Sequence, residues 1–460
     1  MPPRWFSLTW RGKMARLVEL WSSPTSARVW RRGLLAIVVA ATVMRVGLVL
    51  ATGHFVPWGD PADYQRHGIW IAAGGGFPPT IIATPGTPSA LRSPAYPYLL
   101  GGVYAIAGTN PIVGRLLGAV LGVITVVLLA YLGRAIWDRR LGLVAGALCA
   151  FFLPLIGLNA SLLSESLFLP LELALALCLV GLIRNSGNLR RATLCGILCG
   201  VAASTRSLGL LWLLPTVALV IRSTGGGRAR WRSVAALLCA FAVVLTPWTI
   251  RNATAFHAFV PVSTDDGFAL AGQYNQDTGR AGYLEGVWRV PTQVASLHPA
   301  LVGLFLAHHG LVNEDELDST LRHAGLSYLY HHPSQLPIAS WLQTLRMIDI
   351  GIGHTFTTGI AYREMGLPHR LWIPTTLSIQ LVVVVALAGL LARIRRWIAF
   401  RPGPWWLWSL PLLALVGTIP FVGTPRYLTP ADPFLLMLAA LAITAAIDRG
   451  LASRRPPTDP

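Results

Sequence analysis

Charge is scarce in this 460-residue sequence: only 12% of its residues are Asp, Glu, Lys or Arg, whereas 54% are hydrophobic. With a mean hydropathy of +0.57, this composition excludes an ordinary water-soluble protein. The apolar residues run in blocks of about 16 to 25, the length that spans a bilayer. The sequence therefore predicts an integral membrane protein.

Cysteine is also rare, and all five cysteines lie within apolar blocks. Such positions favour small packing residues over disulfides or metal ligands. The sequence has no P-loop, HExxH or CxxC motif, which excludes the ATPase, zinc-protease and thioredoxin-like classes. The function must therefore come from other residues.

Acidic residues are fewer than basic ones, and the net charge of +18 is distributed unevenly. If the N-terminus is cytoplasmic, 24 of the 37 Lys and Arg residues lie inside, whereas 15 of the 19 acidic residues lie outside. This pattern follows the positive-inside rule, so both termini are predicted to be cytoplasmic and no nucleic-acid partner is implied. Ten apolar spans are predicted, at residues 33–51, 112–133, 141–158, 166–183, 192–205, 207–221, 233–250, 371–392, 404–422 and 433–447.

The predicted fold is all-α and polytopic. Two outer stretches, residues 52–110 and 251–370, are too long for simple turns, and we name them segment 1 and segment 2. Their Trp, Tyr, His and paired charges argue against disorder, so we expect short interfacial helices there. The predicted regions are a basic cytoplasmic segment at 1–32, seven spans at 33–250, the outer region at 251–370, three spans at 371–448 and a cytoplasmic tail at 449–460.

Segment 1 contains the stretch WGDPADYQRH at residues 58–67, which predicts the start of a short helix. Asp60 is a suitable N-cap and Pro61 a suitable first helical residue, so helix capping alone could account for Asp60. Asp63 lies one turn further, where it could pair with Arg66 or His67 at the surface. Capping and catalysis therefore stay open as alternative roles of Asp60.

Segment 1 also resembles the first periplasmic loop of the C-type glycosyltransferases of glycosyltransferase family 39, relatives of protein O-mannosyltransferases and of the lipid A aminoarabinose transferase. The shared features are GD at 59–60 with Tyr64, GGGF at 74–77 and RSPAYP at 92–97. The resemblance continues with GVAASTR at 200–206, PWTIRN at 247–252 and PRYLTP at 425–430, and it covers roughly residues 33–450. It implies a C-type fold and transfer of a sugar from a polyprenyl-phosphate donor to an outer acceptor.

By this resemblance, Asp60 matches the catalytic acid of the family's first loop and would be the general base of an inverting transfer. Many relatives carry two adjacent acids, whereas the second acid here is Asp63. This departure leaves Asp63 as a partner of the base or as a metal contact. A divalent cation is therefore left open, and the resemblance implies no other cofactor with certainty.

Guanidinium groups at the outer ends of spans are the candidates for the leaving phosphate, because they bind phosphate bidentately and stay charged. Snorkelling to lipid headgroups is the alternative for each of them. Four further residues could assist the site: three lie in the same stretches, and Glu165 lies at the outer mouth of the fourth predicted span. The candidates are Arg92, Arg206, Arg251 and Arg426 for the phosphate, and Tyr64, Tyr96, Glu165 and Asn252 for assistance.

Other charged residues receive structural interpretations. Glu172 lies seven residues after Glu165 on one face of the same predicted helix, and pairing with Arg115 of the second span is favoured for it. The neighbouring acids of residues 265–266 are interpreted as a solvated turn, with sugar or acceptor contacts as the alternative. Asn313 is predicted to cap a helix that runs to residue 330.

The alternative functional class is a lipid or solute transporter or flippase, or a catalytically silent scaffold of the same fold. The lack of an internal repeat and the large one-sided loops argue against a transporter. The first span is interpreted as a retained helix, and the preference for Arg over Lys favours a bacterial plasma membrane. The expected partners are the donor, membrane lipid and a glycan, lipid or protein acceptor; the sugar, the carrier and the acceptor stay open.

Overall fold

The computed structural model describes residues 25–185, 187–278, 287–350 and 354–453, so most of the predicted N-terminal segment and tail lie outside it. Within these ranges the secondary structure is helical and contains no strand, which confirms the all-α class. The α-helices in chain order are α1 Ala27–Ala51, α2 Asp60–Ala72, α3 Ala95–Ala107, α4 Pro111–Ile136, α5 Arg139–Phe151, α6 Leu153–Asn159, α7 Glu165–Arg184, α8 Leu189–Thr205, α9 Leu213–Ser223, α10 Arg228–Phe256, α11 Asp266–Gln273, α12 His298–Ala307, α13 Glu314–His331, α14 Gln335–Met347, α15 His354–Glu364, α16 Trp372–Ile394, α17 Trp405–Thr418 and α18 Asp432–Ala452.

Membrane-spanning length separates these helices into two groups. Among the described residues, six helices are long and apolar enough to cross a bilayer, namely α1, α4, α7, α10, α16 extended from His369, and α18. Helices α5 and α6 form a seventh candidate with a bend of 61°. The predicted count of ten is not confirmed, because α8, the Ser207–Ser223 stretch and α17 are shorter than a full span.

Two buried arginines satisfy backbone carbonyls at helix ends. Arg45 donates to the carbonyls of Cys149 (3.3 Å) and Ala150 (3.2 Å), at the bend where α5 ends. Arg115 donates to the carbonyls of Thr52 (2.8 Å) and Ala160 (2.6 Å). Helix ends and bends leave carbonyls without partners, and these guanidinium groups supply the missing donors.

The predicted pair of Glu172 and Arg115 is therefore wrong. The Arg115 side chain is occupied by carbonyls, whereas both carboxylate oxygens of Glu172 are buried and have no hydrogen-bond partner among the residues that the structure describes. The prediction paired these two residues because both are charges within apolar spans. Arg115 donates instead to carbonyls at nearby helix ends, which would otherwise lack a hydrogen-bond donor.

Glu314 joins the two segments. Its buried carboxylate accepts hydrogen bonds from the Ser89 hydroxyl and the Ala90 amide of segment 1, both at 2.7 Å, and from the Thr264 hydroxyl of segment 2 at 2.9 Å. The predicted cap at Asn313 is confirmed as a capping box, and its helix α13 ends at His331, one residue later than predicted. The two segments thus form one cover over one end of the helix bundle.

The interpretation of residues 265–266 as a turn is wrong, although Asp266 is exposed as the solvated interpretation expects. Asp266 is the first residue of α11, and Asp265 precedes it with a hydrogen bond from the Ser263 hydroxyl at 2.6 Å. Acidic residues at the start of a helix interact favourably with its dipole, which is why this pair begins a helix despite the following glycine.

Candidate active site

A cavity of about 470 Å³ lies where the cover meets the helix bundle. Segment 1 supplies Asp60 and Arg92 to its lining, and the start of α11 supplies two further acids. The Ser207–Trp212 turn and the chain around the end of α17 add apolar residues. The cavity is lined by Asp60, Tyr64, Leu91, Arg92, Ser93, Ser164, Thr205, Arg206, Ser207, Leu208, Asp265, Asp266, Ala269, Leu270, Arg322, Leu326, Gly417, Thr418, Phe421, Val422, Arg426 and Tyr427.

Asp60 does not cap its helix. Gly59 occupies the N-cap position with a φ of 64°, and the structure records no side-chain cap hydrogen bond at this helix start. The Asp60 carboxylate instead accepts from Arg92 and, at 2.6 Å, from Nη1 of Arg426. The capping interpretation is therefore wrong, because a left-handed glycine begins the helix and leaves the carboxylate free to face the cavity.

Arg426 is the centre of the charge network. Its side chain is 2% exposed; Nη1 also donates to Glu364 at 2.9 Å, and Nε donates to Glu165 at 2.6 Å. Arg206 lies 2.8 Å from the same oxygen of Glu165. Positive and negative groups alternate through the network, so each buried charge is compensated by a neighbour.

Asp60 and its neighbour Glu364 have opposite pKa shifts. Burial by itself would raise the pKa of Asp60, but Arg92 and Arg426 outweigh it and hold that pKa below its usual value. Glu364 has its pKa raised, because burial and the neighbouring Asp60 charge outweigh Arg426. Asp60 is thus a carboxylate in the resting site, whereas Glu364 takes up a proton more readily.

Asp63 lies behind the cavity wall and orients Arg92. It accepts from Arg92 Nε at 2.7 Å and from Arg66 at 3.1 Å, and His67 lies 3.4 Å away. Burial would raise the pKa of Asp63, but His67 and Arg92 lower it below the usual value. Its position beside Arg92, away from the cavity lining, supports the role of a partner to the base.

The carboxylates of segment 1 do not fit a divalent cation. Asp60 and Asp63 share Arg92 as a donor, and each accepts from a further guanidinium group. A cation at this place would have to displace these charged donors. Within the described ranges, no group of three or more His, Cys, Asp or Glu side chains has the arrangement to hold a metal ion.

Tyr64 packs against Arg92, and Tyr96 packs against Tyr64. The Tyr64 ring lines the cavity, and the Arg92 guanidinium lies 5.1 Å from its centroid. Tyr96 is fully buried and packs edge-on against Tyr64, with centroids 5.0 Å apart. Tyr64 therefore supports Arg92 through a cation–π contact, and Tyr96 supports Tyr64.

Arg251 and Asn252 lie outside the cavity lining. Arg251 donates to the Ser89 carbonyl at 2.7 Å and stacks on Trp248, while the buried Asn252 amide donates to the Val260 carbonyl at 3.0 Å. These contacts attach α10 to the two segments. The structure brings together Arg92, Arg206 and Arg426 of the four predicted phosphate-binding arginines, and it does not include Arg251.

Sequence reasoning missed Glu364, the last residue of α15. It touches Asp60 and Arg426, which lie 304 and 62 residues away along the chain. No motif surrounds it, and its only local signal is an acid just before an apolar span. Tyr427 was inside a recognised stretch without a role; its ring lies 5.3 Å from the Arg426 guanidinium and 5.6 Å from that of Arg206.

Residues 91–250, roughly a third of the chain, match the family model described as dolichyl-phosphate-mannose-protein mannosyltransferase. The match confirms the resemblance to C-type glycosyltransferases. It includes Arg92, Glu165 and Arg206 of the charge network and supports a membrane glycosyltransferase. No curated protein matches the sequence significantly.

Solved structures of C-type glycosyltransferases align with most of the chain at low identity. One is AglB, the archaeal oligosaccharyltransferase from Archaeoglobus fulgidus in complex with an inhibitory peptide and a dolichol-phosphate. The alignment covers 93% of this chain and 52% of the AglB chain, with 16% identity and a TM-score of 0.46. For the Archaeoglobus fulgidus oligosaccharyltransferase in complex with Zn and sulfate, the alignment covers 90% of this chain and 49% of that chain, with 14% identity and a TM-score of 0.48. For ArnT from Cupriavidus metallidurans bound to undecaprenyl phosphate, the alignment covers 95% of this chain and 82% of the ArnT chain, with 13% identity and a TM-score of 0.40. The chain spans about half the length of the archaeal enzymes.

Proposed function

We propose that this protein transfers a sugar from a polyprenyl-phosphate donor to an acceptor hydroxyl at the outer face of a plasma membrane, with inversion at the anomeric carbon. The observation that carries the proposal is the Asp60 carboxylate, which faces a cavity beside Arg92 and Arg426 instead of capping its helix. The matched family's name, a dolichyl-phosphate-mannose transferase, supports a lipid-phosphate donor.

Three guanidinium groups suit the leaving phosphate. Arg92, Arg206 and Arg426 all line the cavity. A polyprenyl phosphate gains negative charge as its bond to the sugar breaks, and fixed cations in a water-poor site stabilise that charge. The arginines would therefore bind the donor and also favour departure of the lipid phosphate.

The acceptor hydroxyl needs a base, and Asp60 is placed to serve as one. The oxygen of the acceptor hydroxyl attacks the anomeric carbon while the hydroxyl proton passes to a carboxylate oxygen of Asp60. The electron pair of the breaking carbon–oxygen bond leaves with the phosphate. The products are the glycosylated acceptor, polyprenyl phosphate and a protonated Asp60 that releases its proton to water.

Donor binding would also prepare the base. In the resting site Arg92 and Arg426 hold the pKa of Asp60 low, although burial acts to raise it. A phosphate that draws these guanidinium groups towards itself leaves Asp60 buried and less compensated, so the pKa of Asp60 rises. The base becomes effective only when the leaving group is in place.

An apolar wall gives the lipid chain a route to the same cavity. Leu208, Gly417, Phe421 and Val422 line it from the Ser207–Trp212 turn and the end of α17. Both elements belong to the shorter apolar helices rather than to full spans. A polyprenyl chain could pass beside them with its phosphate at the arginines.

The direct test is donor consumption. Membranes that contain the protein are incubated with labelled polyprenyl-phosphate sugars and a cell-envelope extract as acceptor. Loss of one donor, with release of polyprenyl phosphate and appearance of label in the extract, is the expected result. If no donor is consumed by the folded protein, the transporter, flippase or scaffold alternative is favoured instead.

Glu172→Gln separates a transferase from a transporter. We expect wild-type sugar transfer from this variant, because Glu172 is buried away from the cavity lining and has no hydrogen-bond partner in the described part of the chain. A transporter would be expected to depend on an ionisable residue inside the membrane. Loss of all function in a normally folded Glu172→Gln protein would contradict the proposal.

Gly417→Leu tests the lipid route. A side chain at this position would strike Leu208 and push it into the cavity. We expect the KM for a long-chain donor to rise about tenfold, since overpacking of this kind costs about 1–3 kcal/mol. A short-chain donor should be affected less. Gly450→Leu is the matched control, because Gly450 faces open space; equal effects on both donors would contradict the route.

A further inference from the structure

We infer that Glu364 is a positioning residue for sugar transfer: its carboxylate holds the start of α2 and Arg426 in place and determines how strong a base Asp60 is. The inference rests on the proposed function and adds a residue from segment 2 to it. Two contacts of the Glu364 carboxylate carry it, one with the Asp60 backbone amide and one with Arg426.

The first contact is with the backbone of the base. Glu364 Oε1 accepts from the Asp60 backbone amide at 3.2 Å. The first amides of a helix have no partner within that helix, and a carboxylate is the acceptor that their dipole favours. Glu364 therefore supplies from α15 the cap that α2 lacks in its own sequence.

Gly59 shows how closely Glu364 covers this helix start. The φ of Gly59 is 64°, a left-handed conformation, and a Cβ atom built there would collide with Glu364 Oε1. A residue with a side chain would thus both strain the backbone and displace Glu364. The glycine that frees the Asp60 carboxylate also makes room for Glu364.

The second contact is with the cation of the base. Arg426 Nη1 donates to Glu364 Oε2 at 2.9 Å and to Asp60 Oδ2 at 2.6 Å. The two carboxylates are neighbours that accept from the same guanidinium nitrogen, so each weakens the interaction of Arg426 with the other. If Glu364 lost its charge, Arg426 would interact more strongly with Asp60 and weaken it as a base.

Few other groups around Asp60 and Glu364 could change the strength of Asp60 as a base in the same way. Arg92 lies on the opposite side of Asp60, and Glu165 is held by Arg426 and Arg206. The titratable and charged groups facing this pair are Asp63, Tyr64, Arg92, Glu165, Arg206, Arg426 and Tyr427. Replacement of Glu364 alone leaves all of them in place.

Glu364→Gln tests the inference, because Gln keeps an oxygen for the Asp60 amide and loses only the negative charge. We expect kcat to fall about tenfold, the acid limb of the kcat profile to move to lower pH by about one unit, and the donor KM to change little. Glu316→Gln is the matched control: Glu316 also caps a helix, at 2.9 Å from the Asn313 amide, and it lies outside the cavity lining. This control should leave both kcat and the acid limb unchanged.

Gly59→Ala is a second variant that displaces Glu364 without removing its charge. It should also lower kcat, and an unchanged kcat in both variants would overturn the inference. So would a loss of activity in Glu364→Gln with an unmoved acid limb, since that result indicates a structural role only.

Thermal unfolding in detergent, without substrate, separates this inference from the proposed function. The folded-state pKa of Glu364 is raised, so its carboxyl group destabilises the fold as pH rises from the unfolded-state pKa to the folded-state pKa. The stability of Glu364→Gln relative to the wild type should therefore increase with pH across this window. An inactive wild type with this trend would contradict the proposed function alone, whereas the absence of the trend would contradict the role of Glu364.

Discussion

Replacement of Asp60 by Asn is expected to reduce sugar transfer about 100- to 10,000-fold, the usual contribution of a general base. Asn keeps the shape of Asp but cannot take the proton of the acceptor hydroxyl. The loss should appear in kcat. Donor affinity should be equal to that of the wild type or higher, because Arg92 and Arg426 lose a competing carboxylate.

The Asp60→Asn measurement has two readouts and a control. Donor binding and thermal unfolding show that the variant is folded, and labelled product gives kcat. Asp138→Asn is the matched control, because Asp138 caps α5 through the Leu141 amide at 2.8 Å and Asn is an equally good cap. Wild-type turnover by Asp60→Asn would show that Asp60 is not the base, and Asp63 and Glu165 would be tested next.

Replacement of Arg426 by Gln is expected to cause the largest loss of stability. Arg426 is 2% exposed and compensates Asp60, Glu165 and Glu364 at the same time. Removal of one member of a buried ion pair costs about 3–5 kcal/mol, because the remaining charge is left without a partner. Sugar transfer should be lost as well, since a phosphate-binding cation is gone.

The pH dependence identifies the cause of this loss. Without Arg426 the folded-state pKa values of Asp60 and Glu364 rise, because the guanidinium group lowers both. The stability deficit of Arg426→Gln is therefore largest near neutral pH and shrinks as pH falls through these raised values. Arg322→Gln is the control: Arg322 also lines the cavity, but its side chain is half exposed and forms an ion pair with Asp318. A deficit of equal size in both variants, or one independent of pH, would refute the central role of Arg426.

Composition predicted the membrane class and the helical fold, but not the number of spans. Each predicted span coincides with a helix or with the bent pair of α5 and α6, yet α8 and α17 are shorter than a bilayer is thick. Hydropathy reports how apolar a stretch is and not how deep it reaches. Shorter apolar helices beside a cavity therefore resemble spans in the sequence.

Most of the candidate site was accessible to sequence reasoning where glycine and proline mark the chain, whereas Glu165 was selected by its place at the end of a predicted span. Motifs with these residues contain Asp60, Arg92, Arg206 and Arg426, which the structure places around one cavity. The same kind of motif also selected Arg251, whose hydrogen bonds go to the backbone and to Asn252. A motif marks a constrained place in the chain, and the constraint can be structural.

Glu364 could not be found in this way, because its importance depends on contacts across long stretches of sequence. The pairing proposed for Glu172 failed for a related reason. Sequence separation places residues on a helix face, but it does not show which carbonyls at neighbouring helix ends need a donor. Those carbonyls, and not a distant carboxylate, decide the partners of Arg115.

The carboxylate of Glu314 has a consequence for chimaeric proteins. Because one side chain holds Ser89 and Ala90 from segment 1 and Thr264 from segment 2, the two segments are matched to each other as well as to the helices below them. A loop transplanted from a relative brings its own half of this contact and meets a foreign second half. Exchange of acceptor or donor preference between such proteins therefore requires both segments to be moved together.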